Sequence, residues 1–243
     1  IEAIVKISAK DLAPALRLLR EFEYEVLSNH EEDDFLNDFI WDMQRNKASF
    51  TDEQFKRRTE LAKEALPAYY QKYVQKWNKI VLPEYTIRDV EMEGIPLNGK
   101  LDKIEFDGLK ANVVDYKTGK VSNGIKKLNR PTEKDPLGGD YWRQIVFYKI
   151  LMDENRSENW NMLRGEIDFF EKDKKTKDFV KETVTVNSED IAIVKEQIRS
   201  VYKGIMNHEF TNGCGEKECK WCNFVKNQYV SDKAEFDEEL ETH

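Results

Sequence analysis

The sequence predicts an α/β fold preceded by a helical N-terminal region. The first sign is spacing: apolar and aromatic residues recur three and four apart from Leu12 to Lys79, as in Phe39, Ile40 and Met43. The second is a change of texture at Glu84, where apolar and polar residues begin to alternate as they do along half-buried strands. Helical spacing then returns from about Asp140, so strands and helices share one stretch of chain. With 243 residues, 40 % of them hydrophobic and 12 % aromatic, the chain is long enough to bury a substantial core.

Each element has a local reason. Thr51 and Gln54 stand at capping-box spacing before a long helix that turns Leu61, Ala65, Tyr69, Tyr73 and Trp77 toward the core. Alternation predicts three antiparallel strands over 84–93, 95–106 and 110–117, the last two joined by a turn at Asp107 and Gly108. Residues 119–139 lack periodicity and carry two prolines and several glycines, which predicts a long loop that Gly119 starts by turning sharply out of the third strand. A helix over 140–154, strands around GEIDFF and KETVTV, and a helix over 188–206 follow. The expected division is a helical region over 1–83, a core over 84–207, a cysteine-containing segment over 208–230 and an acidic tail over 231–243.

Charge narrows the function classes. Charged residues make up 35 % of the chain and no long apolar run occurs, so no membrane segment is expected. No charged-then-apolar leader opens the sequence, which points to a cytoplasmic location, and a start at Ile1 reads as a piece of a longer polypeptide. The net charge of −8 gives no overall pull toward nucleic acid. Its distribution is uneven, however: acids gather at 29–34 and in the tail, whereas 117–134 is strongly basic. That run reads either as a solvated loop or as one that contacts phosphate. The 3 cysteines crowd near the C-terminus, a pattern that suggests a metal in a reducing compartment rather than a disulfide framework.

The stretch VVDYKTGK concentrates the chemistry. Side chains alternate along a strand, so Asp115 and Lys117 leave one face and Val114 and Tyr116 the other. A hairpin loop of two or of four residues brings Asp102 to the same face, diagonally from Asp115 in the first case and directly opposite in the second. Adjacent carboxylates repel unless a cation lies between them, and Mg²⁺ or Mn²⁺ suits one or two carboxylates with substrate phosphate as a further ligand. A lysine beside such an ion can polarise water and offset charge on phosphoryl oxygens.

Taken in order, LNGKLDKIEFDG, NVVDYKTG and YWRQIVFYKIL resemble the consecutive motifs of the PD-(D/E)XK nuclease superfamily, most closely the RecB and AddB type of nuclease domain. The family pattern of G-x-x-D, then an acid, x and K, then Q-x-x-x-Y is matched by Gly99, Asp102, Asp115, Lys117, Gln144 and Tyr148. The resemblance implies a restriction-endonuclease-like core: a central mixed sheet flanked by helices. It implies that Asp102 and Asp115 bind Mg²⁺ or Mn²⁺ with the main-chain carbonyl of Tyr116, that Lys117 assists a water, and that Gln144 and Tyr148 reach the metal site or the DNA backbone. Glu84, where the family often carries an acid, is a further candidate ligand. The implied function is a metal-dependent deoxyribonuclease, an exonuclease acting on single-stranded DNA supplied by helicase motor domains in recombination and repair.

Two departures qualify the likeness. The family's usual histidine ligand on an N-terminal helix has no counterpart in the expected G-x-x-x-H setting, since the histidines are His30, His208 and His243. That leaves open a catalytically weakened DNA-binding or scaffolding module of the same fold. Related nucleases also end in clustered cysteines that, with one upstream, hold a [4Fe-4S] cluster. Cys214, Cys219 and Cys222 show a different spacing and no upstream cysteine. They are read as ligands of such a cluster or, with His208, of Zn²⁺.

Overall fold

The computed structural model describes residues 32–78, 80–209, 213–214, 219 and 222–224. The sequence readings on 12–31, on His30, on Lys79 and on the acidic tail with His243 lie outside them. The chain forms two compact units, Ile1–Gln197 and Ile198–His243, and apart from the cysteines, His208 and the second half of the last helix the features below belong to the first.

Helices α1 (Glu32–Arg45) and α2 (Asp52–Tyr73) come first. The expected capping box is present: Gln54 N–H donates to Thr51 Oγ1 at 3.2 Å and Thr51 N–H to Gln54 Oε1 at 3.1 Å, satisfying two donors the first turn leaves open. Phe39, Met43, Ala65, Leu66 and Tyr69 are buried from these helices, together with Val114, Tyr116, Phe170 and Phe179. Tyr73 and Trp77 reach the same cluster partly buried.

Strands β1 (Val81–Met92), β2 (Ile95–Asp107), β3 (Lys110–Lys117), β4 (Asn161–Phe169) and β5 (Lys181–Val184) form one sheet in chain order. All pairs are antiparallel except β3 and β4, which run parallel. Parallel neighbours require a crossover, and helices α3 (Val121–Ile125) and α4 (Asp140–Glu154) supply it. The result is the mixed sheet flanked by helices expected of a restriction-endonuclease-like α/β core. Helix α5 (Ser188–Met206) follows β5.

The β2–β3 hairpin sets the register of the site. Asp107 pairs with Lys110, so the turn is Gly108–Leu109, one residue later than the predicted Asp107–Gly108. Gly108 adopts φ of +61°, which a residue without Cβ reaches at no steric cost. The ladder runs as far as Lys103 opposite Val114. This alternation places Asp102, Ile104 and Phe106 on the face of Val113, Asp115 and Lys117, as an even-length turn requires.

The predicted loop over 119–139 is more structured than its composition suggests. It contains α3 and a 3₁₀ turn at Lys126–Leu128. One helical turn is too short to show periodicity, and Gly124 within it masks what there is. Gly119 has neither a positive φ nor a close neighbour, so the exit from β3 does not depend on glycine there. Among the described residues no helix is long and apolar enough to cross a membrane.

Candidate active site

Beyond Lys103 and Val114, β2 stays paired with β1 while β3 continues against β4 to Lys117 opposite Phe169. The strands part there, and Asp102 spans the gap: its Oδ2 accepts a hydrogen bond from the Tyr116 main-chain N–H at 3.0 Å. Parting strands leave backbone donors unpaired, and a short carboxylate at this position satisfies one. Asp102 is thereby fixed beside the backbone of Tyr116, between the two acids' strands.

Helix α4 covers this face because two residues beneath it lack side chains. A Cβ on Gly99 would lie 2.2 Å from Leu151 Cδ1, and one on Gly165 would lie 2.4 Å from Ile145 Cγ2. The close approach lets Gln144 and Tyr148, one turn apart on α4, reach Asp115. Gln144 Nε2 donates to Asp115 Oδ1 at 2.8 Å and to the Tyr148 hydroxyl at 2.7 Å. Tyr148 in turn donates to the same Asp115 Oδ1 at 3.1 Å. Gln144 Oε1 accepts from Lys117 Nζ at 2.8 Å. An ammonium only donates and a carboxylate only accepts, so the amide can face them in just this sense.

Asp115 Oδ2 is different. Lys117 Nζ stands 2.5 Å from this buried oxygen, a tight ion pair. The carboxylate therefore has one oxygen saturated from α4 and one facing only charge. Asp115 is 1 % exposed and Lys117 9 %, so the pair lies in a medium where such charges act strongly. Burial pushes the Lys117 ammonium down, but Asp115 and then Asp102 outweigh it and hold its pKa above the ordinary lysine value. Burial, reinforced by Asp115 and Asp102, drives the Tyr148 phenol well above its usual range. At neutral pH the site thus holds a fixed cation and a neutral phenol donor, neither of which acts as a base.

The chemistry of this donor set fits a hard divalent cation: two carboxylates on one face of the sheet where β2 and β3 part. Glu84 lies on β1, the strand next to that of Asp102. It adopts φ of +53° within that strand, and its carboxylate pairs with Lys100. Glu84, Asp102 and Asp115 do not form a three-carboxylate cluster; the three-ligand group found among the described residues is Cys214, Cys219 and Cys222, whose Sγ atoms lie within 4.8 Å of one another. Cys214 and Cys222 Sγ are 3.6 Å apart. His208 is not part of that group.

Sequence reasoning missed several residues around the site. Tyr141, seven residues before Tyr148 on α4, offers its ring to Lys117 Nζ at 4.7 Å from the centroid. That spacing, i to i+7 on the face of Gln144 and Tyr148, was the available signal. On the opposite face of the sheet, Lys103 is buried, with Nζ 3.0 Å from Glu105 Oε1 and 5.2 Å from the Tyr116 ring centre. Asp168, fully buried, accepts from the Tyr69 hydroxyl and pairs with Lys181 at 2.6 Å. Buried charges paired across strands leave no mark in a periodicity pattern.

A family model described as the PD-(D/E)XK nuclease superfamily matches residues 16–226. No curated protein matches the chain. Similar solved structures include a candidate exonuclease from Eubacterium rectale, 14 % identical with a TM-score of 0.43, the match covering 87 % of this chain and 74 % of that one. A protein named SSO0001 is 15 % identical with a TM-score of 0.38, over 86 % of this chain and 92 % of its own. LHK-Exo in complex with dAMP is 13 % identical with a TM-score of 0.37, over 89 % and 92 %.

Proposed function

From the premise that this chain belongs to the PD-(D/E)XK nuclease superfamily, we propose that it is a divalent-metal-dependent deoxyribonuclease, an exonuclease that hydrolyses phosphodiester bonds of single-stranded DNA. The observation that carries this reading is the division of Asp115: Oδ1 is held by Gln144 and Tyr148, while Oδ2 is buried against the Lys117 ammonium at 2.5 Å. Asp102 and Asp115, with the Tyr116 carbonyl, would hold Mg²⁺ or Mn²⁺. When bound, that ion supplies charge against the building charge of the phosphoryl group and makes a nearby water easier to deprotonate.

The chain's own residues do the rest. Gln144 and Tyr148 keep Asp115 in one rotamer, so its other oxygen does not have to be oriented during reaction. Lys117, held protonated, places a positive charge beside the reacting phosphate and donates hydrogen bonds to its oxygens or to the attacking water. The basic segment after β3 extends the positive surface away from the site and tracks the backbone without reading bases. On this reading the partners are single-stranded DNA and helicase motor domains of a recombination or repair system.

The test is Mn²⁺-dependent degradation of end-labelled single-stranded DNA by the chain beside its Asp115→Ala and Lys117→Ala variants. Each substitution is expected to lower the rate by at least a hundredfold, the scale of removing a charge that acts in the transition state. Cleavage retained in both variants would remove the active-site assignment. DNA binding without cleavage in the wild type would favour a non-catalytic module. We further propose that Cys214, Cys219 and Cys222 bind a thiolate-ligated metal, an iron–sulfur cluster or Zn²⁺, with a fourth ligand from elsewhere. Metal analysis and a visible spectrum of anaerobically purified protein decide between them: iron with inorganic sulfide, zinc alone, or neither.

A further inference from the structure

We propose that Tyr141 is a positioning residue of this site and that its ring sets two cations, Lys117 and Lys127, along the phosphate backbone of the substrate strand. The inference rests on the nuclease reading and adds to it a subsite for a phosphate next to the scissile one.

Lys117 has partners of unequal permanence. Asp115 Oδ2, 2.5 Å away, is the oxygen a divalent ion would also take. A bound cation therefore competes with Lys117 for its main counter-charge. Gln144 Oε1 at 2.8 Å and the Tyr141 ring at 4.7 Å are the contacts that do not involve that oxygen. An ammonium over an aromatic face is attracted by the ring quadrupole, and more so where water is excluded.

The same ring reaches the basic segment. Lys127 Nζ lies 5.0 Å from the Tyr141 ring centre. Two ammonium groups on one ring are within about 10 Å of each other, a reach that neighbouring phosphates of one strand can bridge. Lys127 is not committed elsewhere: its side chain is 45 % exposed and Asp140 Oδ2 is 3.8 Å away, a long ion pair that a phosphate can displace.

The ring is itself fixed. It packs on Phe169 of β4 with centroids 6.5 Å apart, and Phe169 is 1 % exposed. Helix α3 lies on this aromatic pair because residue 124 is glycine. A Cβ there would come 2.1 Å from Phe169 Cε1 and 3.2 Å from Tyr141 Cε2. Farther along, Arg130 ties the segment to α5 with Nε 2.7 Å from Asp190 Oδ1 and one terminal nitrogen 2.9 Å from Oδ2. Lys127 is thus delivered to the ring by packed structure on both sides.

The experiment compares Tyr141→Phe, Tyr141→Leu and Lys127→Gln in the full chain. In Mn²⁺-dependent cleavage of single-stranded DNA, Tyr141→Leu is expected to lower kcat about tenfold while Tyr141→Phe, which keeps the ring, restores it to within about twofold. Lys127→Gln is expected to act on KM, raising it about fivefold and reducing the slope of log KM against log salt by about 0.7, the value for one single-strand phosphate contact. A second readout needs no activity: with lysine labelled at Cε, the Lys117 and Lys127 methylene resonances are shifted by the ring in wild type and Tyr141→Phe and return to ordinary positions in Tyr141→Leu. Wild-type kinetics in Tyr141→Leu, equal damage from Phe and Leu, or lysine resonances indifferent to the ring would each overturn the proposal. If the wild type cleaves no better than Lys117→Ala, the nuclease reading fails separately. Affinity for labelled single-stranded DNA then tests the subsite, and a Lys127→Gln variant that binds as tightly as wild type sinks it.

Discussion

Asp115 is held from α4 on one oxygen and faces Lys117 with the other, and this asymmetry makes it a ligand rather than half of a simple ion pair. Its partners act as a unit, because Gln144 touches Lys117, Asp115 and Tyr148 together. Tyr148→Phe leaves Asp115 Oδ1 with Gln144 alone. A hydrogen bond to a buried charge is worth about 1.5 kcal/mol, so kcat is expected to fall about tenfold with the circular dichroism spectrum unchanged. Single-turnover cleavage checks this, and a kcat within twofold of wild type would remove the hydroxyl from the mechanism. Strand alternation put Asp102, Asp115 and Lys117 on one face, whereas Gln144 and Tyr148 were picked out by the family resemblance, their spacing of four only adding that they share a helix face. Tyr141 was not singled out, since an aromatic residue at helical spacing has the same pattern whether it fills a core or carries an ammonium.

At the scale of elements, the approach of α4 to the sheet decides whether the site assembles. Gly99→Ala drives a methyl group against the fully buried side chain of Leu151. Overpacking of this kind costs about 1–3 kcal/mol, so the urea midpoint is expected to fall and activity with it. A midpoint unchanged from wild type would show that α4 yields freely. Helix α2 meets the other face through Tyr69 and Asp168. Burial drives the Asp168 carboxyl up from 3.8 to about 6, with Lys181 and Tyr69 only partly offsetting it. Lys181, burdened less by burial, is held above its usual value by Asp168. The two partners thus report opposite balances, and the fully buried acid dominates. Folded Asp168 keeps its proton more tightly than the unfolded chain does, so this group's contribution to stability is greatest below about pH 4 and is lost as pH rises toward 6. The loss is on the order of 2–3 kcal/mol, with the offset from Lys181 and Tyr69 already in it. Asp168→Asn is expected to remove that slope, measured as urea midpoints between pH 4.5 and 7; an undiminished slope would assign it to other groups.

For the folded unit as a whole, the segment between β3 and α4 is where charge and packing meet. It joins the strand of Lys117 to the helix of Gln144, and Arg130 fastens it to the first turn of α5 through Asp190 and the Thr185 carbonyl at 2.9 Å. Asp190 is buried and also accepts from the Asn187 main-chain N–H at 3.0 Å. Arg130→Ala removes the guanidinium and leaves that carboxylate underpaired. Trypsin cleavage at Lys126 and Lys127 is then expected to accelerate at least fivefold, followed by mass spectrometry, with DNA affinity weakened. An unchanged cleavage rate would show that α3 holds the segment without the latch.

The sequence by itself determined the order of the strands and of the long helices, the face shared by Asp102, Asp115 and Lys117, and the helix that carries Gln144 and Tyr148. Those features depend on periods of two and of 3.6 residues, which any short window contains. Tertiary structure alone decided that β2 and β3 part at Lys103 and Val114, so that Asp102 bonds to the Tyr116 backbone, and that Glu84 turns to Lys100. It also decided that the glycine-rich segment after β3 folds into α3, and that Lys103, Asp168 and Lys181 are paired beneath the site. The physical reason is the same throughout. A period tells which way a side chain points, whereas the group that meets it there is supplied from tens of residues away, at a distance set by how closely the elements can pack.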